Sequence, residues 1–374
     1  MSSKRRDFLL YTIRWIVGIL FIFSGLVKAN DPLGLSYKMQ EFFEVWDLHF
    51  LNDYALTFSV MMNAFEVIAG VAVIVGWQMP LFSWLLLILI LFFTFLTGYA
   101  VLTDKIKECG CFGDCIPLNA LQSFYKDLIL LAFILILFFY KRKLKPLFKR
   151  NISLSILLFA TASISLFMWY TLHYLPVVDC LPYKRGNSIK KGLSIPPDAI
   201  ADSTIITFVY LKDGKEIEFA ATDFPVDFDD TKYQFVKRYD KLIRKGNAAP
   251  AIKDFVLFDS TGRDVTQEIL NLTGSKIFVF IRNQQSLAQF LDLMEQKDFS
   301  TAILLSHVYI ITSLPLATIP DNLLHTFECL SCDATAIKTA ARHDPAFLYL
   351  KGDTIWGKWS SNDQNSFIRF LKQP

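Results

Sequence analysis

Three cysteines stand close together in the run Cys109-Gly-Cys-Phe-Gly-Asp-Cys115, and Cys180, Cys329 and Cys332 follow later in the chain. Four readings of the run are open. A zinc site wants thiolates at tetrahedral spacing, usually Cys-x2-Cys with a second pair, and no second pair lies nearby. A disulfide staple could pin a loop. A lipid-modified or incidental cluster is the third reading. A redox-active thiol site is the fourth, and the spacing favours it. Cysteines two apart close a very small ring, and strained disulfides are the labile, oxidising ones. Gly110 and Gly113 offer the backbone angles such a ring needs. An odd number of thiols lets one pair form while a third resolves it. Cys109, Cys111 and Cys115 are therefore the candidate redox centre.

The other cysteines are candidate relay or structural thiols. Cys180 comes shortly after an apolar stretch. Cys329-Leu-Ser-Cys332 is a Cys-x-x-Cys pair with Asp333 behind it as a plausible helix cap. Residues three apart in a strand are ~10 Å apart and cannot bridge, whereas in a turn they can. His49, His173, His307, His325 and His343 show no ligand spacing, so no metal is expected.

These thiols need elements to hold them. The chain has 374 residues, 53% hydrophobic, 15% aromatic and only 20% charged, with 35 Phe. That excludes a disordered tail and a disulfide miniprotein, and disfavours a purely soluble enzyme. A net charge of +3 gives no case for nucleic acid. Apolar stretches cover residues 8–27, 54–77, 81–102, 121–140 and 152–175. Each is about 20 residues, the length that crosses ~30 Å of hydrocarbon. The first is expected to be a retained span, because no small-x-small cleavage site follows it. Lys4, Arg5 and Arg6 precede the first span. Lys141, Arg142, Lys143, Lys145, Lys149 and Arg150 separate the fourth and fifth. The positive-inside rule then predicts a cytoplasmic N-terminus and everything after residue 175 on the far side. A bacterial inner membrane with a periplasmic C-terminal domain fits, and all six cysteines fall in the oxidising compartment.

Polar groups inside hydrocarbon are costly and are usually paired or functional. Glu66 is the deepest, with Asn63 one turn before it. Lys28 ends the first span, and Lys126 and Asp127 open the fourth. Snorkelling and local pairing account for the last three on their own.

The second half reads as mixed α/β. Asp213-Gly214 between two β-branched runs predicts a hairpin. Strands are expected at 276–281, 307–312, 346–350 and 354–359, and helices at 265–271, 285–296 and 334–342. Residues 184–202 are expected to be irregular.

Residues 1–140 resemble the DoxX/MauE group of four-helix membrane proteins. The likeness rests on Phe23-Ser-Gly-Leu-Val-Lys28, on Glu66 ahead of Gly70 and Gly76, and on Cys109-Gly-Cys-Phe-Gly113 followed by Lys126-Asp127. The whole chain resembles Bacteroidetes-type DoxX-family proteins with a C-terminal extracytoplasmic domain, through Leu175-Pro-Val-Val-Asp-Cys-Leu-Pro-Tyr183 and residues 249–270. From Lys276 the chain resembles a thioredoxin fold, with Pro345 at its cis-proline position. It departs from that fold where Arg282-Asn-Gln-Gln-Ser286 replaces the Cys-x-x-Cys.

The expected order is a four-helix membrane domain (1–145), a fifth span (146–176), a β-rich segment (177–260) and a thioredoxin-like domain (261–374). The resemblance implies thiol oxidation or quinone-linked electron transfer. If a quinone binds, the intramembrane polar residues Lys28, Asn63, Glu66, Lys126 and Asp127 are the expected cofactor-binding groups, with Glu66 handling protons. The lipid bilayer and a periplasmic protein are the expected partners. The alternative is a non-catalytic anchor whose thioredoxin-like domain, lacking its thiols, binds an envelope or secretion partner.

Overall fold

The computed structural model describes residues 3–372, apart from 104–105, 107–109, 111, 198, 201–202, 213, 222, 226–227, 230–231, 245 and 247–248. The N-terminal region is helical: α1 (Ser3–Asn30), α2 (Pro32–Val45), α3 (Ala55–Val75), α4 (Met79–Thr103), α5 (Ala120–Tyr140) and α6 (Arg150–His173). Among the described residues, five of these helices, all but α2, are long and apolar enough to cross a membrane. A lipid-facing chain must satisfy its backbone internally, and these unbroken apolar runs do so as helices. The five expected spans match these five helices.

Helices α1 and α3 lie very close. A Cβ at Gly70 would sit 2.6 Å from the Gly18 carbonyl oxygen, and one at Gly18 would sit 2.9 Å from that of Gly70. Such small-residue contacts hold helices together where lipid supplies no hydrophobic drive. Arg14 locks the same pair from within. It is fully buried, its Nε donates to Val73 O at 2.7 Å, and its guanidinium also reaches Ile74 O and, at 2.9 Å, Lys145 O. The orphan carbonyls at the end of α3 are thereby capped.

Helix α2 is not among the sequence expectations. Asp31 caps it by accepting from Gly34 N–H at 2.9 Å, and Pro32 opens it. Its buried positions include Leu35 and Phe42, so it lies along the bundle.

Beyond the bundle come α7 (Ile189–Leu193) and a three-stranded antiparallel sheet of β1 (Ser203–Lys212), β2 (Lys215–Ala220) and β3 (Gln234–Arg244), in the order β2-β1-β3. The expected hairpin is β1–β2, while α7 and β3 are additions. Aromatic rings of Tyr210, Phe219, Phe224, Phe228 and Tyr233 cluster on this sheet.

The last part contains α8 (Thr266–Asn271), β4 (Ser275–Ile281), α9 (Gln284–Glu295), α10 (Lys297–Leu304), β5 (Val308–Thr312), α11 (Asp321–Thr326), β6 (Glu328–Ser331), α12 (Ala334–Ala341), β7 (Ala346–Lys351), β8 (Thr354–Ser360) and α13 (Gln364–Leu371). Five strands form one sheet in the order β6-β5-β4-β7-β8. β4, β5 and β6 are parallel, and β7 and β8 run antiparallel to their neighbours. Each face carries a core. Phe278 and Phe280 point into one, Ile277, Val279 and Ile281 into the other, as the period-2 alternation of a strand requires. The first core also holds Tyr183, Ile189, Ile252, Phe255 and Leu257. The boundary expected at residue 260 therefore cuts through a core.

Candidate functional site

Cys115 is disulfide-bonded to Cys180, which ties the loop after α4 to the segment after α6. Cys109 and Cys111 lie outside the described residues. Around them the loop is well anchored. Gly110, at φ +65°, would place a Cβ 3.1 Å from Lys38 Cγ on α2. Gly113 N–H donates to Gly110 O at 3.0 Å. The Phe112 ring lies 5.9 Å from that of Phe23, with the Lys126 ammonium 4.8 Å above it. The expectation that Cys115 resolves a pair with its two near neighbours meets a different bond. Its partner is Cys180, which is thus a loop-to-loop tether in this state and not a free relay thiol.

The polar residues of the bundle form two groups. Lys28 and Glu66 make a buried ion pair, with side chains 2% and 0% exposed. Lys126 and Asp127 pair at 2.8 Å, and Asp127 Oδ2 accepts from Thr97 Oγ1 at 3.1 Å. Asn63 is fully buried beside this system. Among the described residues, its amide atoms and Glu66 Oε2 have no hydrogen-bond partner. Unsatisfied polar atoms inside a bundle are expensive.

An apolar cavity of about 530 Å³ lies between α2, α3 and α4, lined mainly by Phe42, Trp46, Phe58, Phe65 and Phe93. Its polar lining is sparse: Lys28, Lys38, Thr97 and the backbone of Gly110. A mostly apolar cleft with a few convergent polar groups is the usual form of a small-molecule site. A second cavity of about 40 Å³, large enough for water, lies behind Lys28 and Phe93 and touches Phe112, Lys126 and Asp127. Of the five residues expected near a cofactor, Lys28 lines both cavities and Lys126 and Asp127 line the smaller one. Glu66 and Asn63 line neither; Glu66 adjoins the space through its ion-pair partner Lys28.

In the C-terminal domain, β4 leads into α9 through Arg282 and Asn283, and no thiol stands at this junction. Asn283 caps α9 by accepting from Ser286 N–H at 2.9 Å. Asp344 accepts from the Arg282 N–H at 3.1 Å, and the Asp344–Pro345 peptide is cis. Cys329 and Cys332 are free, buried, and assigned to opposite cores of the sheet. Burial pushes the thiol of Cys329 up to about 11 and that of Cys332 to about 12, with Glu328 and Asp333 adding to the respective rises. Neither is activated, and the β6 geometry keeps them apart.

The domain is docked on the bundle. Arg342, 6% exposed, reaches Asp31 at 2.7 Å and Asp114 at 2.5 Å. The two carboxylates hold the guanidinium above its ordinary pKa, against the opposing effect of burial. Arg342 itself is at φ +51°, closing α12 in the left-handed region. Lys358 pairs with Asp179 at 3.3 Å, Arg282 Nη1 donates to Tyr37 Oη at 3.2 Å, and Asn362 Nδ2 donates to His173 O at 2.7 Å. Sequence reasoning missed Arg342, Asp31, Asp114 and Tyr37. They are scattered residues with no periodicity, and only the fold brings them together.

Residues 6–140 match the family model of methylamine utilisation protein MauE. The bundle is MauE-like. Lys28, Asn63, Glu66, the Cys109–Cys115 run, Lys126 and Asp127 all fall inside the MauE-like segment, whereas Cys180 and the docking residues of the C-terminal domain lie beyond it. Residues 204–245, which nearly coincide with the three-stranded sheet, match a domain of unknown function, DUF8463. Protein TlpB of Flavobacterium psychrophilum is 27% identical over 176 residues, covering 45% of this chain and 46% of that protein. The match thus spans about half the length of that relative. No solved structure matches.

Proposed function

We propose that this chain is an inner-membrane thiol–disulfide redox protein, with Cys109 and Cys111 as its working pair and a quinone as electron acceptor. One observation carries the reading. Gly110, the residue between the two thiols, lines the same apolar cavity as Lys28. The charge pattern supports a cytoplasmic N-terminus and a periplasmic thiol loop. The strand order of the five-stranded sheet supports a thioredoxin-like C-terminal domain without its thiols.

The residues present suit a quinone. The aromatic walls match a ring and an isoprenoid tail, and the Lys28 ammonium offers a donor for a ring oxygen. A bound quinone supplies a two-electron, two-proton acceptor as the dithiol closes to a disulfide. The chain's own groups do the rest. Glu66 pairs with Lys28 and aims its side chain, since a buried ammonium without a counter-ion is costly. Phe42, Trp46 and Phe93 exclude water. The loop disulfide, once formed, is reopened by exchange with two substrate thiols, which leave as a disulfide while their protons pass to the loop thiols.

The test uses the full-length protein, reduced and then mixed with a soluble quinone, with the free thiols of Cys109 and Cys111 counted by alkylation and peptide mass, separately from those of Cys115 and Cys180. Loss of two thiols in the wild type, but not in Cys109→Ser or Cys111→Ser, is expected. A Cys111→Ala protein with full thiol-oxidation activity sinks the proposal. The anchor reading draws on one observation, the thiol-free β4–α9 junction docked against the bundle. Fully oxidised cysteines in cells, unchanged when respiration stops, would support it instead.

A further inference from the structure

A polar cavity of about 230 Å³ opens between α2, the start of α9 and the end of α12. Asn283, Gln285 and Gln289 on its rim are solvent-exposed. Its lining is cationic, and the charges are unequally matched. Arg342 is neutralised by Asp31 and Asp114, and Arg282 Nε lies 3.6 Å from Asp344. Lys338 has no carboxylate within ion-pair distance among the described residues. Its ammonium stands 5.3 Å above the Tyr37 ring, a weak substitute for a counter-ion. Burial pushes the Lys338 pKa down and the nearby Arg282 charge adds to this, while the more distant carboxylates of Glu44 and Asp333 act against it. The twelve-residue helix α9 starts at the cavity and adds its positive end. Among the described residues this cation has carboxylates only at longer range and none in direct contact.

The cavity also adjoins the thiol loop. Arg342 bonds Asp114, the residue before Cys115. Tyr37, on the wall, is next to Lys38, against which Gly110 packs.

We propose that this cavity receives an Asp or Glu side chain of the substrate polypeptide, so that the preferred substrates are dithiol segments flanked by acidic residues. The proposal rests on the thiol-oxidation reading and names its substrate class. Docking involves no bond change. It raises the local concentration of the substrate thiols at the loop, where exchange proceeds with the balance given above.

The test uses full-length protein in detergent and three fluorescent peptides that share a Cys-containing core and differ only in flanking Glu, Gln or Lys. Binding is measured by anisotropy with Ser in place of Cys. The Glu peptide should bind about tenfold tighter than the Gln peptide, the scale of one desolvated charge contact, and the Lys peptide weakest. Lys338→Met should bring the Glu peptide down to the affinity of the Gln peptide, and Lys338→Arg should restore the preference. Equal affinity for the three peptides, or a Lys338→Met protein that still prefers Glu, overturns the proposal. The Cys-containing peptides then separate the two readings. If Glu peptides bind selectively but none is oxidised, the thiol-oxidation reading falls and the acidic docking site stands. If all are oxidised with KM independent of charge, the redox reading stands and the docking site falls.

Discussion

At the scale of single residues, the bundle depends on charges placed where charges are costly. Removing one partner of a buried pair strands the other, an effect of about 3–5 kcal/mol. Lys28→Met should therefore lower thermal stability by about that much, and adding Glu66→Gln should recover part of it. An additive double mutant would show that the pair is not coupled. The two thiols of the C-terminal domain make an opposite kind of prediction. With thiols raised to about 11 and 12, about one molecule in a thousand or fewer carries a thiolate at pH 8. Cys329 and Cys332 should resist maleimide in the folded protein and react only after unfolding, and fast labelling at pH 8 would contradict their placement. Lys28, Glu66, Lys126 and Asp127 were legible in the sequence because a charge stands out in an apolar run. Arg14 is just as buried, yet its role was not legible, since its partners are backbone carbonyls 59 and 131 residues away.

At the scale of elements, the long apolar helices follow from hydropathy alone, and the β1–β2 hairpin from its Asp-Gly turn. Two of the misses had sequence signals that suit a turn as well as the element formed. Helix α2 starts with Asp31-Pro32 and contains Gly34, residues that also suit a turn. Strand β6 pairs along only one edge of β5, and its Cys-x-x-Cys spacing suits a turn as well as a strand. Arg14 gives an element-scale prediction, because it joins α1, the end of α3 and the loop before α6. Arg14→Leu leaves the carbonyls of Val73 and Lys145 without that donor. Each orphaned carbonyl costs about 1–3 kcal/mol, so the variant should unfold in milder denaturant than the wild type. Cavity-facing Phe58→Ala should leave that midpoint much closer to wild type, because Phe58 is 40% exposed. Equal midpoints for wild type and Arg14→Leu would remove Arg14 from this role.

At the scale of the whole molecule, Arg342 holds two parts of the chain together. Arg342→Ala removes the cation between Asp31 and Asp114 and leaves two carboxylates facing each other. Amide exchange should rise in α2 and at the start of α9, while β4 and β5 stay protected. Unchanged exchange in α2 would mean that Arg342 does not hold the domain in place. None of this docking was legible beforehand, since it joins residues more than 200 positions apart. The Cys115–Cys180 bond works over a shorter range, closing 65 positions of chain into a ring that contains α5 and α6. That ring can close only if both spans have been threaded so that residues 115 and 180 emerge on one side of the bilayer. A molecule in which α6 failed to cross would carry Cys180 on the wrong side and keep a free thiol. The bond is therefore a covalent record of correct insertion. A protease cut between α5 and α6 should leave two fragments that separate on a gel only after reduction.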